Sequence, residues 1–261
     1  MKRRSIILFF LLALLLPVQA FAADLTVAVA ANAQYVFEEL KQVFEKETGM
    51  TVDGVVGSSG KFTAQIENGA PFDVFLSADM SYPQTLQTEG LTYNAPKVYG
   101  YGSLVIWTMR DVDLSKGFSV LASDSVKKIS IASPKTAPYG RQAVNAMKFY
   151  GVYPQVQSKI VYGESIAQAS QFITTKAVDL GITAKSVVVA PNMKGQGKWV
   201  EVDQKAYEPI AQGAVILKHA QKHNMETAQK FFDFLFSDEA RAVFKKHGYT
   251  LPLSISEKES L

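Results

Sequence analysis

The sequence predicts an α/β chain folded as two lobes, each a mixed sheet flanked by helices, with two crossover strands as the hinge. Two observations lead there. Short apolar runs alternate with segments whose apolar residues recur at helical spacing, the pattern of strand–helix–strand units. Two long extended runs, YGYGSLVIWTM (99–109) and YEPIAQGAVIL (207–217), have no helix between one strand and the next, and they bracket the second group of units. Read as crossovers, they divide the chain into one lobe of residues 23–102 with 213–261 and another of 103–212.

In order, LTVAVAA (25–31) reads as a buried strand. AQYVFEELKQVFEKETG follows as a helix, with Val36, Leu40, Val43 and Phe44 on one face and Gly49 as its stop. TVDGVVG then leads to KFTAQIENG, and DVFLSAD to SYPQTLQTEG. KKISIAS leads through PKTAPYG to RQAVNAMKFYG, KIVYGES leads to IAQASQFITTKAVD, and LGITAKS is a further strand.

The first residues predict export. MKRRS is a basic n-region, IILFFLLALLL a short apolar h-region, and Ala20 and Ala22 form an A-x-A cleavage pattern, so the mature chain is expected to start at Ala23 and to be periplasmic. The apolar run is short for a bilayer span, although an uncleaved anchor is the alternative reading. There is no cysteine, which excludes a lipid-bearing thiol, disulfides, thiolate metal sites and cysteine catalysis. Removing Lys2, Arg3 and Arg4 from the 27 basic residues leaves 24 against 24 acidic ones. That balance carries no nucleic-acid footprint.

Four strand-to-helix turns stand out: AAN (30–32), GSSG (57–60), APYG (137–140) and GES (163–165). In open α/β sheets, ligands sit where strands end and helices begin. Each helix start offers unpaired N–H groups and the positive end of a dipole, so two lobes closing would aim four such ends at one small anion. None of the turns puts Lys or Arg at its donor positions; Lys61 and Arg141, one turn further on, are expected mainly at the solvent, with a ligand or rim role open for Arg141. Each turn residue is equally what a helix cap requires, so Asn32, Ser58 and Ser59 have a purely structural reading beside the functional one.

AVAAN, GSSGKFTAQIENGAPFDVFLSAD, IASPKTAPYG, ESIAQA, YEPIAQGAVI and HGYTLP, in this order over about residues 24–252, resemble the periplasmic molybdate-binding proteins of ABC importers. The resemblance implies a periplasmic binding protein fold of type II that closes over molybdate or tungstate and delivers it to a membrane permease. It implies no catalysis, no cofactor, and no metal held by side chains, the metal arriving as an oxyanion. A monomer is expected. Matched position by position, the ligand contacts are Asn32, Ser59, Tyr139 and, through its backbone N–H, Ile166; Ser58 and Ala31 are further candidates. Ala31 stands where relatives have Thr, and Thr183 and Ala184 stand where some have a Tyr ligand, which leaves the Tyr139 phenol as the expected aromatic donor.

Other readings remain: the same fold with sulfate, chromate or an organic anion, a secreted enzyme on a similar scaffold, or a partner-sensing module. GSSG is not the G-x-S-x-G of a nucleophile elbow. Asp73 and Asp79 are read as a strand start and a helix cap rather than an acid/base pair. His219 and His223 have helical metal spacing but no third ligand, and they are expected, like His247, in a charged surface region.

Overall fold

The computed structural model describes residues 23–253, and the predicted signal segment lies outside these described residues. The first half runs β1 (Leu25–Ala30), a 3-10 turn (Ala31–Ala33), α1 (Gln34–Thr48), β2 (Val52–Gly57), α2 (Ser59–Glu67), β3 (Val74–Leu76), α3 (Ser81–Thr88) and β4 (Lys97–Gly102). The second comprises β5 (Leu104–Thr108), β6 (Ile129–Ala132), α4 (Pro138–Phe149), α5 (Tyr153–Val156), β7 (Ile160–Gly163), α6 (Ile166–Thr174), β8 (Leu180–Ala184), α7 (Lys185–Val188) and β9 (Lys198–Glu201). β10 (Ile210–Ile216), α8 (Met225–Phe234) and α9 (Asp238–Lys246) follow.

These strands form two five-stranded mixed sheets, ordered β2-β1-β3-β10-β4 and β7-β6-β8-β5-β9. β1 lies between parallel β2 and β3, and β6 between parallel β7 and β8. β10 runs antiparallel to β3 and β4, as β5 does to β8 and β9. The two-sheet α/β architecture expected from the sequence is therefore present. The run 99–109 differs in detail: β4 ends at Gly102 in the first sheet and β5 begins at Leu104 in the second, with Ser103 between them. The other crossover run joins the first sheet from Ile210 onward.

Local sequence explains the elements that position the turns. α1 buries Val36, Phe37, Leu40 and Phe44 along one face and stops at Gly49, whose φ of 71° is the left-handed conformation glycine adopts without penalty. Phe37 and Phe44 pack edge-on against Phe231 of α8, so the C-terminal helices cover the first sheet. Each fully buried aromatic side chain contributes about 1.5–3 kcal/mol of apolar burial. β1, β6 and β8 are buried almost throughout, as strands covered on both faces must be.

Candidate functional site

Because β1 and β2 are adjacent and parallel, as are β6 and β7, their carboxyl ends bring the four turns together in two neighbouring pairs. One cavity receives all of them. Ala30, Ala31 and Asn32 line it after β1; Gly57, Ser58 and Ser59 after β2; Ala137, Pro138 and Tyr139 at the start of α4; and Ile166 at the start of α6, with Ala78 in the wall. The cavity is small, with about 10 Å³ of free volume, and leaves no room for a sugar or peptide. Among the described residues, no Lys, Arg, His, Asp or Glu lines it.

The helix starts leave particular donors over. In α4, Pro138 has no N–H and the Gly140 and Arg141 N–H groups close onto the Ala137 carbonyl, so Tyr139 holds the N–H with no intrahelical acceptor. In α6, the Ser165 hydroxyl accepts from the Gln168 N–H and the Ser165 carbonyl from the Ala169 N–H, which leaves the N–H groups of Ile166 and Ala167 over; of the two residues, Ile166 lines the cavity. In α2, Ser59 Oγ accepts from the Ala78 N–H at 2.9 Å. That acceptance aims its own proton elsewhere, as a donor. Ser58 Oγ is buried and makes no hydrogen bond, the kind of orphan that a native structure has to account for.

From sequence, the Asn32 amide and the Tyr139 phenol are expected to face the anion. The structure turns both away. Asn32 Nδ2 donates to Gln212 Oε1 at 2.7 Å and to the Tyr249 hydroxyl at 3.3 Å, while the Tyr139 hydroxyl accepts from Gln212 Nε2 at 2.9 Å. The physical reason is the buried Gln212 amide, whose donors and acceptor need partners of their own. Both residues line the cavity, but their side-chain polar groups are engaged within the protein. Burial pushes the phenols of Tyr99 and Tyr139 well up and that of Tyr249 to about 12, so the surrounding network stays neutral.

Contacts between the two halves close over the cavity. The Gly60 N–H donates to the Thr136 carbonyl at 2.9 Å, and Ser186 Oγ to the Asn32 carbonyl at 2.7 Å. Lys61 and Arg141 do not simply face solvent: Lys61 pairs with Glu164, and Arg141 pairs with Asp79 and donates to the Tyr82 hydroxyl at 3.1 Å. Charges on the rim thus neutralise one another instead of reaching the cavity. Arg141→Ala is expected to weaken ligand binding about fivefold, roughly 1 kcal/mol, since the pair is partly exposed, and the loss should shrink at high salt. Stopped-flow release rates across salt concentrations check this.

Asp79 Oδ1 accepts from the Tyr82 N–H, so it caps α3 as well as pairing with Arg141. Asp73 is buried and accepts from the Thr26 N–H and Asn224, with His219 Nδ1 at 2.9 Å, which makes it an anchor for β1 and the C-terminal segment. Of the three histidines, His223 is exposed as expected, His219 is half-buried against Asp73, and His247 departs from the expectation. His247 is 1% exposed, with Nε2 2.9 Å from Glu39, because α9 packs that position inward against α1. Among the described residues, no group of three or more His, Asp or Glu side chains is arranged to hold a metal.

Residues 25–250 match the family model described as bacterial extracellular solute-binding protein. The chain belongs to that family. Within it, the chain is 40% identical over 238 residues to the molybdate-binding protein ModA of Azotobacter vinelandii, covering 91% of this chain and 94% of that one. The Rhodobacter capsulatus protein of the same name is 38% identical over 237 residues, covering 90% and 91%. The solved Azotobacter vinelandii periplasmic molybdate-binding protein superposes with a TM-score of 0.82 at 34% identity, over 88% of this chain and all of that one. A solute-binding protein of this kind is not an enzyme and carries no cofactor. No helix among the described residues is long and apolar enough to cross a membrane.

Three contributors escaped the sequence reading. Gln212 had a signal, an amide inside the apolar run IAQGAVI, which demands buried partners. Ser186 and the Thr136 carbonyl had none, because their roles exist only where the two halves touch.

Proposed function

We propose that this chain is the periplasmic solute-binding component of an ABC importer, capturing one molybdate or tungstate between lobes that divide at Ser103 and again just before Ile210. It acts as a monomer and passes the anion to a membrane permease. The observation that carries this reading is a small cavity where four helix starts meet, with no charged side chain among its described lining residues and one buried hydroxyl still unpartnered. Neutral donors on rigid elements can replace an oxyanion's water shell, and the helix dipoles favour its charge. The ligand in the names of the Azotobacter and Rhodobacter relatives supports the same choice.

Selectivity follows from the donor set. Molybdate and tungstate are fully ionised near neutral pH and accept hydrogen bonds from every side. Phosphate keeps a proton that needs an acceptor, and Asp79 on the rim is already engaged by Arg141, Ser81 and the Tyr82 N–H. Sulfate has the right charge but shorter bonds, so fixed donors hold it loosely. Calorimetry at neutral pH is expected to give one site per monomer, molybdate and tungstate tightest and nearly equal, chromate and sulfate weaker, and phosphate weakest. Small-angle scattering should show compaction on binding. Silence toward all five anions would overturn the function; phosphate binding as tightly as molybdate would mean that a carboxylate enters the site.

A further inference from the structure

We propose that Gln212 determines the size selectivity of the cavity, acting as a spacer that fixes how far apart the donor turns of the two halves stand. This inference rests on the oxyanion reading above. Gln212 is 0% exposed and lies on β10 where its register with β4 shifts. Its Oε1 accepts from Asn32 Nδ2 at 2.7 Å and from the Tyr99 hydroxyl at 2.8 Å; its Nε2 donates to the Tyr139 hydroxyl at 2.9 Å. It thereby joins a cavity residue of the first half directly to one of the second. Asn32 and Tyr139 each begin a helix that faces the ligand, so a displacement of either side chain moves a backbone donor.

Three features make this bridge stiff enough to act as a gauge. The primary amide supplies both the acceptor that Asn32 and Tyr99 use and the donor that Tyr139 uses. Tyr99, Tyr139 and Tyr249 are all at most 5% exposed, and no charged side chain hydrogen-bonds to the group. A side-chain carbon at Gly102 would collide with both the Tyr139 hydroxyl and Gln212 Nε2, so the packing leaves no slack beside the bond. Donors held at a fixed spacing discriminate between tetrahedral dianions by bond length. Donors on loosened turns would adapt to each of them.

The experiment measures dissociation constants for molybdate, tungstate, chromate and sulfate in wild-type protein, Gln212→Met, Tyr139→Phe and the double variant, together with ligand-free melting temperatures. Met keeps the length of the side chain and removes its hydrogen bonds. The tightest ligand is expected to lose about tenfold in each single variant and sulfate less than about twofold, so that the spread of affinities contracts. The double variant should contract it no further, because both changes break one bridge. Equal weakening of all four anions, or an unchanged spread in Tyr139→Phe, would overturn the proposal and leave Gln212 a merely structural residue. A tightest ligand other than molybdate would revise the function while the contraction still tests the gauge. Wild-type protein that binds none of the four would defeat both.

Discussion

Ser58→Ala is expected to weaken molybdate binding about ten- to a hundredfold while leaving the melting temperature of ligand-free protein unchanged. Its hydroxyl has no hydrogen-bond partner among the described residues, so removing it breaks no bond within them. A hydrogen bond to a charged oxygen contributes about 1.5–3 kcal/mol, which sets the range. Ser59→Ala should cost a similar amount of affinity with a different second effect. Ser59 Oγ accepts from the Ala78 N–H, and its loss leaves that buried donor unpaired, which lowers stability by about 1–3 kcal/mol. At this chain length each kcal/mol shifts melting by about 2–4 °C. Calorimetry and thermal unfolding on the two variants separate the hydroxyl that serves only the ligand from the one that also serves the fold. Unchanged affinity in both would return them to capping.

Gly60→Val is expected to abolish tight binding without unfolding the protein. A side-chain carbon at Gly60 would lie 2.6 Å from the Tyr82 hydroxyl, 3.0 Å from the Thr136 Cα and 3.1 Å from the Thr136 carbonyl oxygen. The tyrosine tip can move. The Thr136 backbone belongs to the opposing half, and it can give way only if the halves part. Parting them would also lengthen the 2.9 Å bond from the Gly60 N–H to the Thr136 carbonyl and withdraw α4 and α6 from the cavity. With half of the donors gone, affinity should fall more than about a hundredfold. Scattering should show no compaction at ligand concentrations that close the wild type. Normal affinity with normal compaction would mean that closure does not bring these two turns together.

Periodicity and turn chemistry made the units legible. The β1 and α1 segments, Gly49 as a stop, and the four turns were readable because each depends on neighbours within a few residues. Convergence of the turns was readable too, since adjacent parallel strands place their helix starts on one edge. What the polar side chains at those turns do was not legible. Asn32 and Tyr139 carry groups equally able to bind an anion or a protein amide, and the choice is made by Gln212, 180 residues from Asn32 and 73 from Tyr139 in the chain.

The sequence by itself determined the alternation of strands and helices, the absence of cysteine chemistry, and four helix starts free of cationic donors. Those are properties of short segments and of composition. Only the tertiary structure decided that the Asn32 amide and the Tyr139 phenol brace the site instead of facing it, that Ser58 rather than either of them holds an unpartnered hydroxyl, and that Lys61 and Arg141 are neutralised across the rim. Each of these depends on which group from a distant segment arrives first at a buried polar atom. A buried donor must bond to whatever acceptor the packing delivers, and packing is not written in any local stretch of the chain.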